Sequence, residues 1–276
     1  MLEHLWWQAR AAQWFPGWMG FQAVAIVVGA LLVVGRGGQR LLVPYAVGVV
    51  LAAAGGVALG SFDAWAAWLG ARAGARGPMP EIEIAGFGAI AGLVLGHVLV
   101  SRARGFTAGR ALDALAAPIG AMVAIARTGC FFAGCDFGAP TTQPWGLAYP
   151  PFTPAFRAQL DAGLIQASAM RTLPVHPTQL YEAGIGLVML VAALATGRPR
   201  REGDRFAAAT LTYAAGRLVV DVFRGDLARG GALGLTTTQA LALGLTGAVV
   251  ACRLSTAQRR APPRDDRALS GGRRSG

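Results

Sequence analysis

Charged and polar side chains set in apolar surroundings are where this chain could do chemistry. Tyr213, Arg217, Asp221 and Arg224 follow one another at spacings of four, four and three within an otherwise apolar run. At about 100° per residue they share one helix face, within about 80° of one another. A charge inside a membrane span costs roughly 2.5 to 3.5 kcal/mol, so each must face a partner or a wet cavity. Arg217 and Asp221 can pair, and Arg224 adds a second guanidinium whose planar fork suits a phosphate. A structural ion pair between packed helices is the plainer alternative.

Two further stretches carry polar groups at the ends of apolar runs. In Ala126-Arg127-Thr128-Gly129-Cys130-Phe131-Phe132-Ala133-Gly134-Cys135-Asp136-Phe137-Gly138 an arginine meets a glycine-rich turn. Its backbone N–H groups could hold an anion beside Arg127, or the segment is simply a tight turn. Cys130 and Cys135 invite a metal or a disulfide. No second Cys/His pair at suitable spacing follows, so no metal is expected, and packed thiols near a helix end are the commoner case. The other stretch, His176-Pro177-Thr178-Gln179-Leu180-Tyr181-Glu182, opens a helix with proline near its start. His176 is either a cap or loop residue or, with Gln179, Tyr181 and Glu182, part of a polar site at the membrane surface. His97, alone on an apolar span, and His4 carry no role.

The elements that must position these residues are membrane helices. Of 276 residues 54% are hydrophobic and 14% charged, with a mean hydropathy of +0.47, too little polar surface to coat a soluble globule. A span needs about 20 mostly apolar residues. Runs near 18–35, 41–61, 84–101, 111–128, 177–196, 206–223 and 236–253 predict an all-α polytopic bundle of about seven transmembrane helices. An external loop region separates the fourth and fifth. Trp6, Trp7, Trp14 and Trp18 suit the headgroup level at the entry to the first helix. That helix ends in Arg36-Gly-Gly-Gln-Arg40 instead of a cleavage site, so it is expected to remain in place. Three cysteines make no disulfide framework.

The net charge of +11 comes from arginine, since the chain has no lysine. Most of these arginines fall in short loops on one side (Arg36 and Arg40; Arg102, Arg104 and Arg110; Arg198, Arg200, Arg201 and Arg205) and in the last residues, as the positive-inside rule requires. That side is expected to be cytoplasmic, with the N-terminus outside and the long, Pro- and Gly-rich segment 129–176 folded over the outer surface. No basic-aromatic groove points to nucleic acid. No P-loop, GxGxxG, HExxH or Gly-x-Ser-x-Gly motif occurs. Residues 1–255 are expected to form one transmembrane domain and 256–276 a disordered cytoplasmic tail.

The order Arg-x-Gly-Cys-Phe-x-x-Gly-Cys-x-x-Gly, Pro-Thr-x-x-Pro-Trp-Gly (Pro140 to Gly146), His-Pro-Thr-Gln-Leu-Tyr-Glu and Gly-Arg-x-x-x-Asp-x-x-Arg (Gly216 to Arg224) resembles the prolipoprotein diacylglyceryl transferase family. The match runs from about Phe87 through Gln239, with Leu112-Asp113 before Pro118 and Leu235-Thr236 before Gln239. The resemblance implies a seven-span enzyme of the bacterial inner membrane. Such an enzyme moves the diacylglyceryl group of phosphatidylglycerol onto the lipobox cysteine thiol of a prolipoprotein, releasing glycerol phosphate. It carries Arg127, Gly138, Arg217 and Arg224 onto the family's phospholipid-handling positions, with Asp221 where glutamate is usual. The chain departs from the family pattern at Cys130, usually asparagine, and Cys135, usually glutamate. It departs again at Phe87-Gly88-Ala89, usually His-Gly-Gly, and in the first span, where Phe21 or Trp18 stands for a tyrosine.

The combined expectation is a transferase with Arg127 and Arg217 as catalytic phosphate holders and His176 as the candidate base. Arg224, Gly138, Asp221 (orienting Arg217), Tyr181, Glu182 and Gln179 complete the substrate site. Its partners are phosphatidylglycerol, the prolipoprotein signal peptide with its lipobox, and membrane lipid; no cofactor, metal or nucleic acid is expected. A non-catalytic phospholipid-binding or assembly protein is the alternative, as is a transferase with a different acceptor. A transporter fits less well, because the polar residues gather near one surface and not at the bilayer midplane.

Overall fold

In lipid every backbone N–H and C=O must be satisfied within its own segment, so apolar runs of this length become helices. The computed structural model describes residues 15–70, 86–195, 199, 201–224, 231–232, 235–236 and 246–247. Its helices are α1 (Phe15–Gly37), α2 (Leu42–Gly70, entered through a 3-10 turn at Gln39–Leu41), α3 (Gly86–Ala103), α4 (Ala108–Ala133), the short α5 (Pro154–Asp161), α6 (Thr178–Ala195) and α7 (Asp204–Asp221). A small antiparallel hairpin sets Gly231 opposite Thr236 and Ala232 opposite Leu235.

Five helices are long and apolar enough to cross a membrane: Gly17–Gly37, Gln39–Ser61, Gly86–Ala103, Ala108–Ala133 and Thr178–Ala195. They correspond to the first five expected spans. The sixth is helical as α7, but Asp204, Arg205, Arg217 and Asp221 make it more polar than the other five. Most of the expected seventh span, the tail 256–276 and Trp6, Trp7 and Trp14 lie outside the described residues. Leu31 and Val50, each 68% exposed, and Val191 at 62% point away from the bundle, an outer face suited to lipid. The chain is a multi-pass membrane protein.

Helix α4 is the central strut, packed on α1, α3, α6 and α7. Close approach is bought with missing side chains. On α3, Gly88, Gly92 and Gly96 recur every fourth residue and meet the backbone of α2: a Cβ at Gly92 would stand 2.0 Å from the Leu51 carbonyl oxygen, and one at Gly88 2.2 Å from that of Gly55. Gly120 of α4 and Gly186 of α6 form a second such contact, their Cβ positions 2.6 Å from Leu190 N and 2.5 Å from Ala124 N. Lipid tails are as apolar as the helices, so packing at short range, and not exclusion of water, holds such pairs together.

The loop arginines collect at one end of the bundle. Arg36 and Arg102 lie in the last turns of α1 and α3, and Arg40, Arg104, Arg110 and Glu202 line one polar pocket. The start of α7 is fixed there. Gly203 (φ 87) precedes the helix without a capping side chain. Buried Asp113 of α4 instead accepts from Gly203 N at 2.7 Å and Phe206 N at 3.1 Å, satisfying backbone donors that a helix start leaves open.

At the opposite end α4 runs to Ala133, past the expected boundary at residue 128, because Gly129 continues the helix. Its lack of a Cβ admits Phe21, whose own Cβ would otherwise lie 2.7 Å away. The turn comes at Gly134, with φ 72. The segment that follows folds on a core of its own made by Phe137, Tyr149, Ala155 and Val175. Thr153 caps α5 by accepting from Phe156 N. The buried Gln159 amide accepts from Leu173 N at 2.8 Å and donates to its carbonyl at 3.3 Å.

Gly92→Leu is expected to lower thermal stability in detergent, since overpacking of this kind costs about 1 to 3 kcal/mol. Gly35→Ala, with nothing within 4 Å of the new Cβ, should leave the melting temperature unchanged. Equal behaviour of the two variants in a melting assay would refute the close-approach account.

Candidate functional site

The first turns of α6 grip the loop after α4. Proline at 177 leaves Thr178 and Gln179 to begin the helix, and both turn back onto the loop: Thr178 Oγ1 donates to the Asp136 carbonyl at 2.7 Å and Gln179 Nε2 to that of Cys135 at 2.6 Å. Gln179 also donates to Tyr149 Oη at 3.1 Å, a phenol whose burial pushes its pKa up to about 12. One turn further along, Glu182 has no exposed surface, and three arginines surround it.

Arg127, six residues before the end of α4, sets Nε 2.6 Å from Glu182 Oε2 and Nη1 2.8 Å from Asp136 Oδ2. Arg217 of α7 pairs with Glu182 Oε1 at short range. Arg224, just past α7, reaches Glu182 Oε1 at 3.2 Å and Asp136 Oδ1 at 2.9 Å. Asp221 stands 3.8 Å from Arg217 Nη2. Three guanidiniums thus meet three carboxylates, so the charges balance although most of the cluster is buried. Asp136 is the most open member, its side chain 30% exposed, followed by Arg127 at 19%. Tyr213 sets its phenol beside Arg127 and meets Phe87 edge-on at 6.2 Å.

The stripe read on α7 is therefore real, with Tyr213, Arg217 and Asp221 buried on one face and Arg224 continuing it. Its principal partner differs from the expected one. Glu182 on α6, and not Asp221, takes Arg217 most closely, because α6 packs beside α7 and its carboxylate reaches between the arginines. Asp136, to which the sequence assigned no role, ties Arg127 to Arg224. For the Glu182 pairing the signal available was a carboxylate near a helix start ahead of an arginine stripe on a later helix.

The glycine-rich turn does not form an anion nest. Gly134 N donates to the Phe131 carbonyl and Cys135 N to that of Cys130, the paired bonds that close a helix C-terminus. Gly138 N is held by the His176 carbonyl at 2.9 Å. A Cβ at Gly138 would lie 2.6 Å from the Phe223 carbonyl and 2.7 Å from His176, so this glycine is placed as a packing position where the 138, 176 and 223 backbones cross. His176 Nδ1 lies 3.2 Å from Tyr181 Oη, which also accepts from Trp145 Nε1 at 2.8 Å. The His176 and Phe223 rings are 5.0 Å apart. A hydrogen bond to the Cys130 side chain, and then burial, raise the Cys135 thiol above its ordinary range.

An apolar groove of about 530 Å³ lies between α1, α4 and α6. Phe21 and Val24 of α1, Ile125 and Thr128 of α4, and Ala183 and Leu187 of α6 line it. Thr128 and Ala183 are the chain neighbours of Arg127 and Glu182. An acyl chain could lie along this groove, two of whose lining residues adjoin members of the charged cluster in the chain.

Fold and site together define a multi-pass membrane protein with a largely buried charged centre and an apolar groove between α1, α4 and α6. The chain belongs to the prolipoprotein diacylglyceryl transferase family, whose model matches residues 41–254. It is 28% identical over 160 residues to the phosphatidylglycerol–prolipoprotein diacylglyceryl transferase of Clostridium tetani, covering 57% of each chain. Proteins of the same name from Geobacter sulfurreducens and Bordetella avium are 32% identical over 177 residues and 30% identical over 155. The chain spans 57%, 60% and 52% of the length of these three relatives.

Glu182→Gln is expected to destabilise the protein strongly, since removing one partner of a buried ion pair costs about 3 to 5 kcal/mol. Arg157→Gln, which breaks an exposed pair with Asp161, should cost less than about 1 kcal/mol. Melting temperatures of the two variants in detergent compare them directly; an unchanged Glu182→Gln would remove Glu182 from the centre of the cluster.

Proposed function

We propose that this chain transfers the diacylglyceryl group of phosphatidylglycerol to the lipobox cysteine thiol of a prolipoprotein. The observation that carries the reading is the convergence of Arg127, Arg217 and Arg224 on one cluster, whose α4 and α6 members are chain neighbours of residues that line an apolar groove. Asp136 occupies two arginines with its two oxygens, as two oxygens of a phosphate would, and it is the most exposed member of the cluster. The phosphodiester displaces it and the acyl chains follow the groove between α1, α4 and α6. The acceptor thiolate attacks the glyceryl carbon; the S–C bond forms, the C–O bond to phosphorus breaks, and glycerol phosphate leaves. The leaving group gains a negative charge in that step, which fixed guanidiniums stabilise where it develops.

His176 is the candidate base for the thiol, oriented through Tyr181. Glu182 and Asp221 hold the arginines in place, Gln179 holds the loop of Asp136, and Gly138 lets that loop pass close to His176. The protein sits in the bacterial inner membrane with residues 1–255 as one unit, its N-terminus outside and 256–276 in the cytoplasm. The arginine-rich end of the bundle supports that orientation.

Phe87 against Tyr213, in place of a polar residue, favours a second reading, a phospholipid-binding protein without turnover. Purified protein in bilayers with radiolabelled phosphatidylglycerol and a lipobox peptide separates the two. Lipidated peptide is expected from the wild type, with a loss of about 100-fold or more in Arg127→Ala and no rescue by Arg127→Lys, which lacks the fork. Bound lipid without transfer selects the second reading, and full activity of Arg127→Ala excludes the site.

A further inference from the structure

We infer that Cys130 and Cys135 are a disulfide-forming pair that covalently closes the outer end of α4. The two residues occupy the two ends of the helix-terminating turn: Cys135 N donates to the Cys130 carbonyl at 3.2 Å while Gly134, at φ 72, reverses the chain. That turn brings the side chains at its ends together, a contact usually made by two apolar residues. Here both are cysteine, and their sulfurs lie within 4.8 Å of each other. Backbones joined by such a bond are close enough for the Cα separation of about 4.4 to 6.8 Å that a disulfide requires. Both cysteines are free in this structure.

Asp136 brings a carboxylate oxygen within the same 4.8 Å, which raises a metal as the competing occupant. Its two oxygens are taken by Arg127 and Arg224. Two sulfurs alone fall short of the three or four protein ligands of a zinc site. The compartment decides the rest. With the arginine-rich end in the cytoplasm, this turn faces the oxidising side, where neighbouring thiols do not persist as a pair. The inference goes beyond the transferase reading and shares with it only this orientation.

The oxidant is the disulfide of a thiol–disulfide oxidoreductase. One of the two cysteines attacks it as the thiolate, giving a mixed disulfide and one donor thiol. The other then attacks that cysteine's sulfur and expels the second donor thiol. Two electrons and two protons pass to the donor, whose disulfide becomes two thiols. The product fixes the loop that carries Asp136, so the exposed carboxylate of the arginine cluster sits on a cross-linked cap.

Cells producing the full chain are quenched in acid, denatured and alkylated, and the protein is cleaved after Arg127 and Arg157 to release both cysteines in one peptide. The expected peptide carries no alkyl group, weighs two hydrogens less than the dithiol, and takes up two alkyl groups only after reduction. Cys252 should alkylate without reduction in the same sample. Cys130→Ser and Cys135→Ser should each leave the partner thiol alkylatable. Two alkylated thiols in the unreduced wild type would overturn the inference, as would one equivalent of zinc per chain in purified protein with both thiols reduced. A Leu164→Cys probe in the loop, unreactive from outside toward a membrane-impermeant maleimide, would overturn it through the orientation alone and leave the arginine site untouched.

Discussion

A single carboxylate with no exposed surface organises this protein. Glu182 receives Arg127 from α4, Arg217 from α7 and Arg224 from the residue run beyond α7, and it is the one carboxylate that all three guanidiniums share. Its energetic weight is therefore indirect. It makes admissible a concentration of positive charge that the membrane would otherwise expel. The arrangement is also asymmetric: the inner carboxylate is sealed, whereas Asp136 closes the outer side while remaining in reach of solvent.

The rest of the fold keeps that centre in register. The glycine contacts of α2 with α3 and of α4 with α6 set the helices at backbone distance, so small shifts meet main-chain atoms and not compressible side chains. Outside the bundle, Thr178 and Gln179 fasten the 134–138 loop to the start of α6. The segment after it is stiffened by its own small core and by the Gln159 bonds to Leu173. The loop that carries Asp136 is thus held from both sides.

Much of this was legible in the sequence. The apolar runs located α1, α2, α3, α4 and α6, and spacing alone put Tyr213, Arg217 and Asp221 on one face. What periodicity describes is a single helix, and the decisive contacts are between helices. Asp221, four residues from Arg217, was the natural local partner; Glu182, thirty-five residues away, becomes the stronger one only when α6 and α7 are packed. The same limit hid Asp136 and the capping of α7 by Asp113. The boundary of α4 slipped because two glycines, Gly129 and Gly134, are alike in sequence. Only one of them adopts positive φ, and that depends on where the helix finds its closing bonds. The motif order carried the family, and the family model over residues 41–254 agrees with it.

Helix α7 is secured at both extremities by groups that belong to other helices. Asp113 takes its opening N–H groups and Glu182 takes the guanidiniums near its close. Axial sliding by a single turn, about 5.4 Å, would strip one anchorage or the other, and rotation would carry Arg217 out toward lipid. The element that bears Arg217 and leads directly into Arg224 behaves as a beam clamped at each end, with its registry stored in a hydrogen-bonded aspartate far from the charged centre.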